Sequence, residues 1–221
     1  MKRRSVPVTF LIVTLLFTFS FSSFAIPANV SLLEKADFLS TLKILEGSNG
    51  DYLLNEKLSR AEAATFAVRI LGQNLHVLLN DDSYRKASAV FPDVNPNHWY
   101  APYVGYCAQA GILSGDTSGN YKPNDYITEK SFLKIILSIL GYEINTDYTW
   151  NNIYKKAFEV GLVTDLSYIS KEDDNTDFRR SGAVNIMYNA LMLKEKKTGK
   201  ELFYKLIDAE VITRAEAIKL A

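Results

Sequence analysis

The sequence predicts an all-α protein: three helix–loop–helix units packed into one body, with short loops that leave room for minor β pairing. Three observations predict it. "LSRAEAATFAVRILG" from Leu58, "ITEKSFLKIILSILG" from Ile127 and "FRRSGAVNIMYNALM" from Phe178 each pass from an apolar residue through polar ones into an apolar pattern of helical period. The intervals Arg60 to Leu71, Glu129 to Leu140 and Arg180 to Leu191 are each 11 residues. Each stretch also follows a matching helix, which ends at Lys43-Ile44, Gly111-Ile112 or Gly161-Leu162 and runs into a loop rich in Gly, Asn, Asp and Ser. From the first copy to the second these landmarks move by 68 and 69 residues, and from the second to the third by 50 and 51, so one residue of loop slack reconciles them. A lone unit of this kind cannot bury its apolar face, so the three are expected to share a core.

In chain order, residues 1–25 read as a secretory signal peptide. Lys2, Arg3 and Arg4 precede the apolar run Val8 to Phe21, and Ser23-Phe24-Ala25 supplies small residues for cleavage. An uncleaved N-terminal anchor is the alternative. The first unit covers 26–75, with an incomplete N-terminal half, and Ser59 with Glu62 forms a capping box where its second helix begins. A linker (76–90), the second unit (91–142) and the divergent third (143–193) follow. The tail, 194–221, carries two further capping pairs, Thr198 with Glu201 and Thr213 with Glu216, which imply a helix from about Lys200 to Asp208 and a short one after Thr213. "ITRAEAIKLA" at the end resembles "LSRAEAATFA" at Leu58, but Arg214 follows Arg180 by only 34 residues and no G-I-x-x-G segment lies between. The tail is therefore expected to pack on the third unit rather than to form a fourth.

Charge narrows the function. The chain has 25 basic and 25 acidic side chains, and signal cleavage removes three basic ones. A mildly acidic secreted protein does not hold polyanions through a general positive field, which disfavours nucleic acid, so any anionic partner must meet a few well-placed arginines. Cys107 is the single cysteine and lies in an apolar helical pattern, a buried thiol rather than half of a catalytic pair with His98. His76 and His98 have no ligand-spaced partner, "GDTSGNYKPND" lacks calcium-loop spacing, and Asp81-Asp82 is not a positioned acid–base pair. No metal, cofactor or catalytic residue is expected. "KEDDNTD" (171–177) reads as a solvated loop.

"FPDVNPNHWYAPYVGYCAQAGILSGDTSGNYKPNDYITEKSFLKIILSILGY" resembles an S-layer homology repeat: F-x-D-V, a tryptophan six residues after the aspartate, G-I-x-x-G, then x-P-x-x-x-I-T and a helix ending L-G. "KLSRAEAATFAVRILG" is similar to the T-R-A-E half of that repeat, and "FRRSGAVNIMYNAL" to divergent third copies. The resemblance runs from about Ser31 to Met192. It implies a pseudo-threefold spindle of three helical prongs. It also implies a non-enzymatic, secreted protein of the Gram-positive cell wall or surface, which binds secondary cell-wall polysaccharide, often pyruvylated, in grooves between the prongs. Two other readings are a decayed scaffold that contacts another envelope protein, and a wall-degrading enzyme; no acid–base or nucleophile pair supports the latter.

Carried over residue by residue, the resemblance makes Arg60, Arg180, Trp99, Asp93, Trp150 and Gly115 the candidate polysaccharide-binding residues. An arginine fork matches the carboxylate of a pyruvate ketal, and a tryptophan face suits a sugar ring. Free N–H groups at the helix start by Arg60 would add positive potential. Glu129 stands where the second copy should have arginine, Gly182 replaces the glutamate of the third, and Trp150 sits one residue off its place, so one working groove is expected. Each candidate also has a plain structural role: Ser59, Glu62, Thr213 and Glu216 as helix caps, Arg60 and Arg180 as solvated charges, Asp93 on turn amides after Pro92, the tryptophans as half-buried platforms, and Gly115 in a turn with positive φ.

Overall fold

A computed structural model describes residues 30–220; the expected signal peptide lies outside them. The described chain is all-α, with ten α-helices and β pairing limited to isolated bridges.

Each unit contributes one helix from its first half and one from its second. The first helices are α1 (Leu32–Thr41), which Ser31 and Glu34 cap, and, later in the chain, Ala101–Gln109 and Ile153–Glu159. The second are Arg60–Ile70, Glu129–Ile139 and Arg180–Leu191. In chain order the helices are α2 (Arg60–Ile70), α3 (Asn74–Leu79), α4 (Asp81–Ala87), α5 (Ala101–Gln109), α6 (Glu129–Ile139), α7 (Ile153–Glu159), α8 (Arg180–Leu191), α9 (Tyr204–Asp208) and α10 (Arg214–Leu220). The first helices stop where Lys43, Gly111 and Gly161 turn to positive φ (57°, 69° and 86°), and the next residues, Ile44, Ile112 and Leu162, dive into the core.

The prongs are shared between units. α1 packs on α8, α5 on α2, and α7 on α6, so each prong joins the first helix of one unit to the second helix of another. Leu58, Ile127 and Phe178, each two residues before the start of a second helix, are buried together with the apolar faces of α2, α6 and α8. No unit closes its own core, which is why the three form one body.

Loops tie the units into a ring at the N-termini of α2, α6 and α8. The second unit's loop lies over the start of α2: Arg60 N–H donates to the Asp125 carbonyl and Ala61 N–H to that of Pro123, both at 2.9 Å, and Ile127 N–H returns to Leu58 at 2.8 Å. The third unit's loop covers α6, with Glu129 N–H on the Asn175 carbonyl and Lys130 N–H on Asp174 Oδ1, both at 3.0 Å. The first unit's loop covers α8, through Arg180 N–H to Glu56 and Ser181 N–H to Leu54, each at 2.9 Å. The bridges Ser59 to Tyr126 and Lys57 to Arg179 are the minor β pairing of this ring.

The tail covers the opposite ends of the same helices. Lys196 N–H donates to the Leu140 carbonyl after α6, Phe203 N–H to Leu191 at the end of α8, and Ala209 sits against Gly72 after α2. It therefore reaches all three units, not the third alone. The expected helix from Lys200 shortens to α9, because Leu202 and Phe203 are fully buried and their amides are spent on α8's end. The expected Thr198–Glu201 box is absent: Thr198 Oγ1 donates to Glu195 instead. Thr213 and Glu216 do cap α10 reciprocally.

The stretch read as a linker is helical. α3, α4 and a 3₁₀ turn (Ser88–Val90) lie beside α5, with the Tyr84 ring edge-on to Tyr106. Gly105 allows that approach, because a Cβ there would stand 1.9 Å from the Tyr84 carbonyl oxygen. Gly105→Ala should therefore lower stability by about 3 kcal/mol, as overpacking of backbone against backbone does, and thermal unfolding will read the loss.

Candidate functional site

The ring creates three equivalent positions, at the first residues of α2, α6 and α8. They are occupied by Arg60, Glu129 and Arg180, and the structure treats them differently.

At Arg180 the guanidinium is an internal tie. Nε donates to the Tyr52 carbonyl at 3.0 Å, one terminal nitrogen to Glu62 Oε1 at 3.1 Å and the other to the Glu46 carbonyl at 2.9 Å. The residue is 5% exposed and lies over the Phe66 ring. This departs from the expectation of a ligand arginine or a solvated charge, for its fork is already filled by the chain. Gly182 has a local cause: a Cβ there would lie 2.6 Å from the Phe178 ring, so the third copy has no room for a capping glutamate. Arg179, at the N-cap, makes no capping bond.

At Glu129 the carboxylate is buried and accepts from Lys171 Nζ at 2.6 Å, from Tyr154 OH at 3.3 Å and, in a short bond, from Tyr168 OH. The Lys171 ammonium lies 4.5 Å from both the Tyr154 and Tyr168 ring centres. Tyr168 comes from a 3₁₀ helix, Leu166–Ile169, that fills this side of the ring. The stretch 171–177, read as a solvated loop, is thus partly docked: Lys171 pairs with Glu129, and Asp174 and Asn175 hold the start of α6.

Arg60 is different. Its Nε donates to the Tyr121 carbonyl at 2.6 Å and its guanidinium lies 4.7 Å from the Tyr121 ring centre, yet no described carboxylate reaches it. The cause lies across the groove. The rotation that carries Arg180 onto Arg60 carries its partner Glu62 onto Ser131, which has no charge to offer. Where two of the three positions are paired internally, this one keeps a cation uncompensated.

That cation faces a hollow of about 880 Å³ between the starts of α2 and α6, lined among others by Arg60, Gly115, Asp116, Ser131, Lys134 and Trp150. Lys134, which the sequence reading passed over, is a second cation without a described carboxylate partner. Its Nζ donates to the Ile112 carbonyl at 3.1 Å and to Ser114 Oγ at 3.3 Å. Burial, and then the charge of Arg60, pull its ammonium below the usual lysine range, the signature of a cation held beside another without compensation. Of the acids in the hollow, Asp116 is matched by Lys122 at 2.9 Å, and Asp125 also lines it without an ion pair to Arg60 or Lys134.

The other candidates divide around this groove. Trp150, 42% exposed, lines it, with Lys130 Nζ 6.0 Å from its ring. Trp99 is 55% exposed and edge-on to Tyr100, outside the hollow. Asp93 does not line the hollow; its two oxygens accept from the amides of Tyr121 and Lys122 at 2.8 and 2.6 Å, so it holds the groove's wall rather than the turn after Pro92. Gly115 does not have the expected positive φ; a Cβ there would meet the Gly119 backbone at 2.8 Å, and the residue lets the loop fold back on itself. Gly47 has the same role in the first unit, whereas Asp165 replaces it in the third, where the loop forms the 3₁₀ helix instead. The expected free N–H groups at Arg60 are not free, since Asp125, Pro123 and the Ser59 side chain take the first three. The positive potential comes from side chains. Ser59 and Glu62 form their reciprocal cap, and Glu62 spends its other oxygen on Arg180.

Cys107 is buried with its Sγ toward the Ala64 carbonyl, and burial pushes its pKa far up. Among the described residues no cluster of His, Cys, Asp and Glu is arranged to hold a metal ion, and no helix is long and apolar enough to cross a membrane.

A model of the S-layer homology domain matches residues 90–132, the segment that carries α5, the Gly115 loop and the start of α6. The middle cell wall protein of Brevibacillus brevis is 24% identical over 190 residues, 81% of this chain and 17% of its own length. The surface layer protein of Brevibacillus choshinensis is 25% identical over 183 residues, 80% of this chain and 15% of its own. An amylopullulanase of Thermoanaerobacterium thermosulfurigenes is 32% identical over 123 residues, 55% of this chain and 6% of its own. The chain thus spans about a sixth of the first two relatives, and the shared region occurs in surface proteins and enzymes alike. Domain and relatives place the chain at the cell surface of the Gram-positive envelope. Residues 90–132 thus match the S-layer homology domain, and the chain around them is similar to cell-wall and surface-layer proteins.

Proposed function

We propose that the chain is a non-enzymatic envelope-anchoring module that holds an anionic secondary cell-wall polysaccharide in the groove between its first and second units. The observation that carries this reading is the pair of cations, Arg60 and Lys134, facing one hollow without a carboxylate partner while the two equivalent positions are neutralised internally. An arginine fork beside an ammonium suits a carboxylate such as that of a pyruvate ketal, and Trp150 offers a flat apolar face to the sugar that bears it. The overall charge balance is no obstacle, because the contacts are local.

A second reading, a degenerate scaffold that contacts another envelope protein, draws on the same neutralised positions. Retention on purified cell-wall sacculi separates the two. Intact sacculi should retain the protein and sacculi stripped of their secondary polymer should not; equal retention, or none, would turn the reading toward the scaffold.

A further inference from the structure

The groove does not end at Lys134. A second hollow of about 350 Å³ adjoins it and shares Lys134 and Ile144 with it. Ser131, Lys134, Ile135 and Ser138 fall at helical spacing on one face of α6, and the two hollows lie end to end along that face. From Ser131 to Ser138 the helix axis advances about 10 Å, more than one sugar ring requires.

The far hollow is open and polar. It is bounded by Ala110 and Gly111 at the end of α5, by Tyr142 and Glu143 after α6, and by Lys197 of the tail. A Cβ at Gly111 would meet nothing within 4 Å. Lys197 is 76% exposed and only loosely paired with Glu143, at 3.9 Å, so both ends of that pair can turn to a ligand. Tyr142 offers no stacking face, because Lys156 and Lys196 lie over its ring at 4.6 and 5.9 Å. The ammonium, carboxylate and hydroxyl groups of such a lining suit a sugar with hydroxyl or amide groups.

We propose that this hollow is a second carbohydrate subsite: the polymer seats its anionic residue at Arg60 and continues along α6, past Lys134, into the space between α5's end and the tail. The inference rests on the reading of the Arg60 groove as a polysaccharide site. It gives the tail a functional part, since Lys197 forms one wall.

Calorimetry with two probes tests it: the methyl glycoside of a hexose bearing a pyruvate ketal, and a trisaccharide ending in that residue. The wild-type chain should bind the trisaccharide roughly tenfold more tightly, about 1.4 kcal/mol. Ala110→Trp fills the far hollow from an exposed position with helical backbone angles (φ −76°, ψ −2°). It should leave the monosaccharide's affinity unchanged and erase the tenfold gain. Equal affinity of both probes for the wild type, a gain that survives Ala110→Trp, or an equal loss for both probes would overturn the subsite while leaving the Arg60 site standing. If neither probe binds the wild type, the polysaccharide reading falls and the subsite with it.

Discussion

Ser131→Glu should abolish retention on intact sacculi, although it removes neither cation from the groove. The new carboxylate would stand to Arg60 as Glu62 stands to Arg180, 3.1 Å away in a largely buried pair, and would convert the one open position into a third internal tie. The variant also completes a T-x-x-E capping box with Thr128, whose Oγ1 already accepts from the Ser131 amide, so the helix should be no less stable. Arg60→Ala is the complementary change. It deletes the proposed charge-assisted, bidentate contact and should weaken binding by about 2–3 kcal/mol, roughly 30- to 150-fold. Sacculus co-sedimentation with a melting curve for each variant checks both. Retention of Ser131→Glu at the wild-type level would show that the cation of Arg60 is not what the wall polymer meets.

Both variants depend on a relation that the sequence carries only once the ring is known. The local signals were readable. The 11-residue interval and the caps at Ser59 and Thr213 mark helix starts through contacts three residues apart, and α2, α6 and α8 begin at Arg60, Glu129 and Arg180. Helix ends at Lys43, Gly111 and Gly161 follow from one residue's backbone angle each. Elements fixed by distant partners were not readable. The segment 76–90 became helical against α5, and the helix expected from Lys200 shortened because Leu202 and Phe203 are drawn into the core.

The site divides along the same line. Arg60 and Arg180 align in the repeat and look interchangeable, yet one faces Ser131 and the other Glu62, residues more than 60 positions away in sequence. Glu129 looked like a simple reversal of charge, whereas Lys171, 42 residues on, makes it half of a buried pair. Lys134 carries no signal of its own: one lysine among the apolar positions of α6 reads as its solvated face until α5's end and Arg60 are placed beside it. Trp99 shows the opposite error. It completes the motif but stands outside the hollow, while Trp150, one residue off the pattern, lines it.

Arg180→Met should destabilise the fold and leave the proposed wall-binding groove working. Methionine replaces the stem of the side chain but none of its donors, so the carbonyls of Tyr52 and Glu46 lose a partner in a region where the arginine is 5% exposed. Glu62 keeps more than a third of its side-chain surface in water, so losing the ion pair itself contributes little. The unsatisfied carbonyls dominate, and the expected loss is about 3 kcal/mol. For a body of this size that lowers Tm by roughly 6–12 °C. Below the transition, the variant should still co-sediment with intact sacculi at the wild-type level, since Arg60, Lys134 and Trp150 line a different face of the ring. Glu62→Gln should cost less, because its amide oxygen can still accept from Arg180, while its NH2 group then faces the Ser59 amide and the loss falls on the α2 cap. The two readouts separate the roles of the aligned arginines. An unchanged Tm with lost retention would make Arg180 a ligand residue after all, and the first and third units would then share a second working groove.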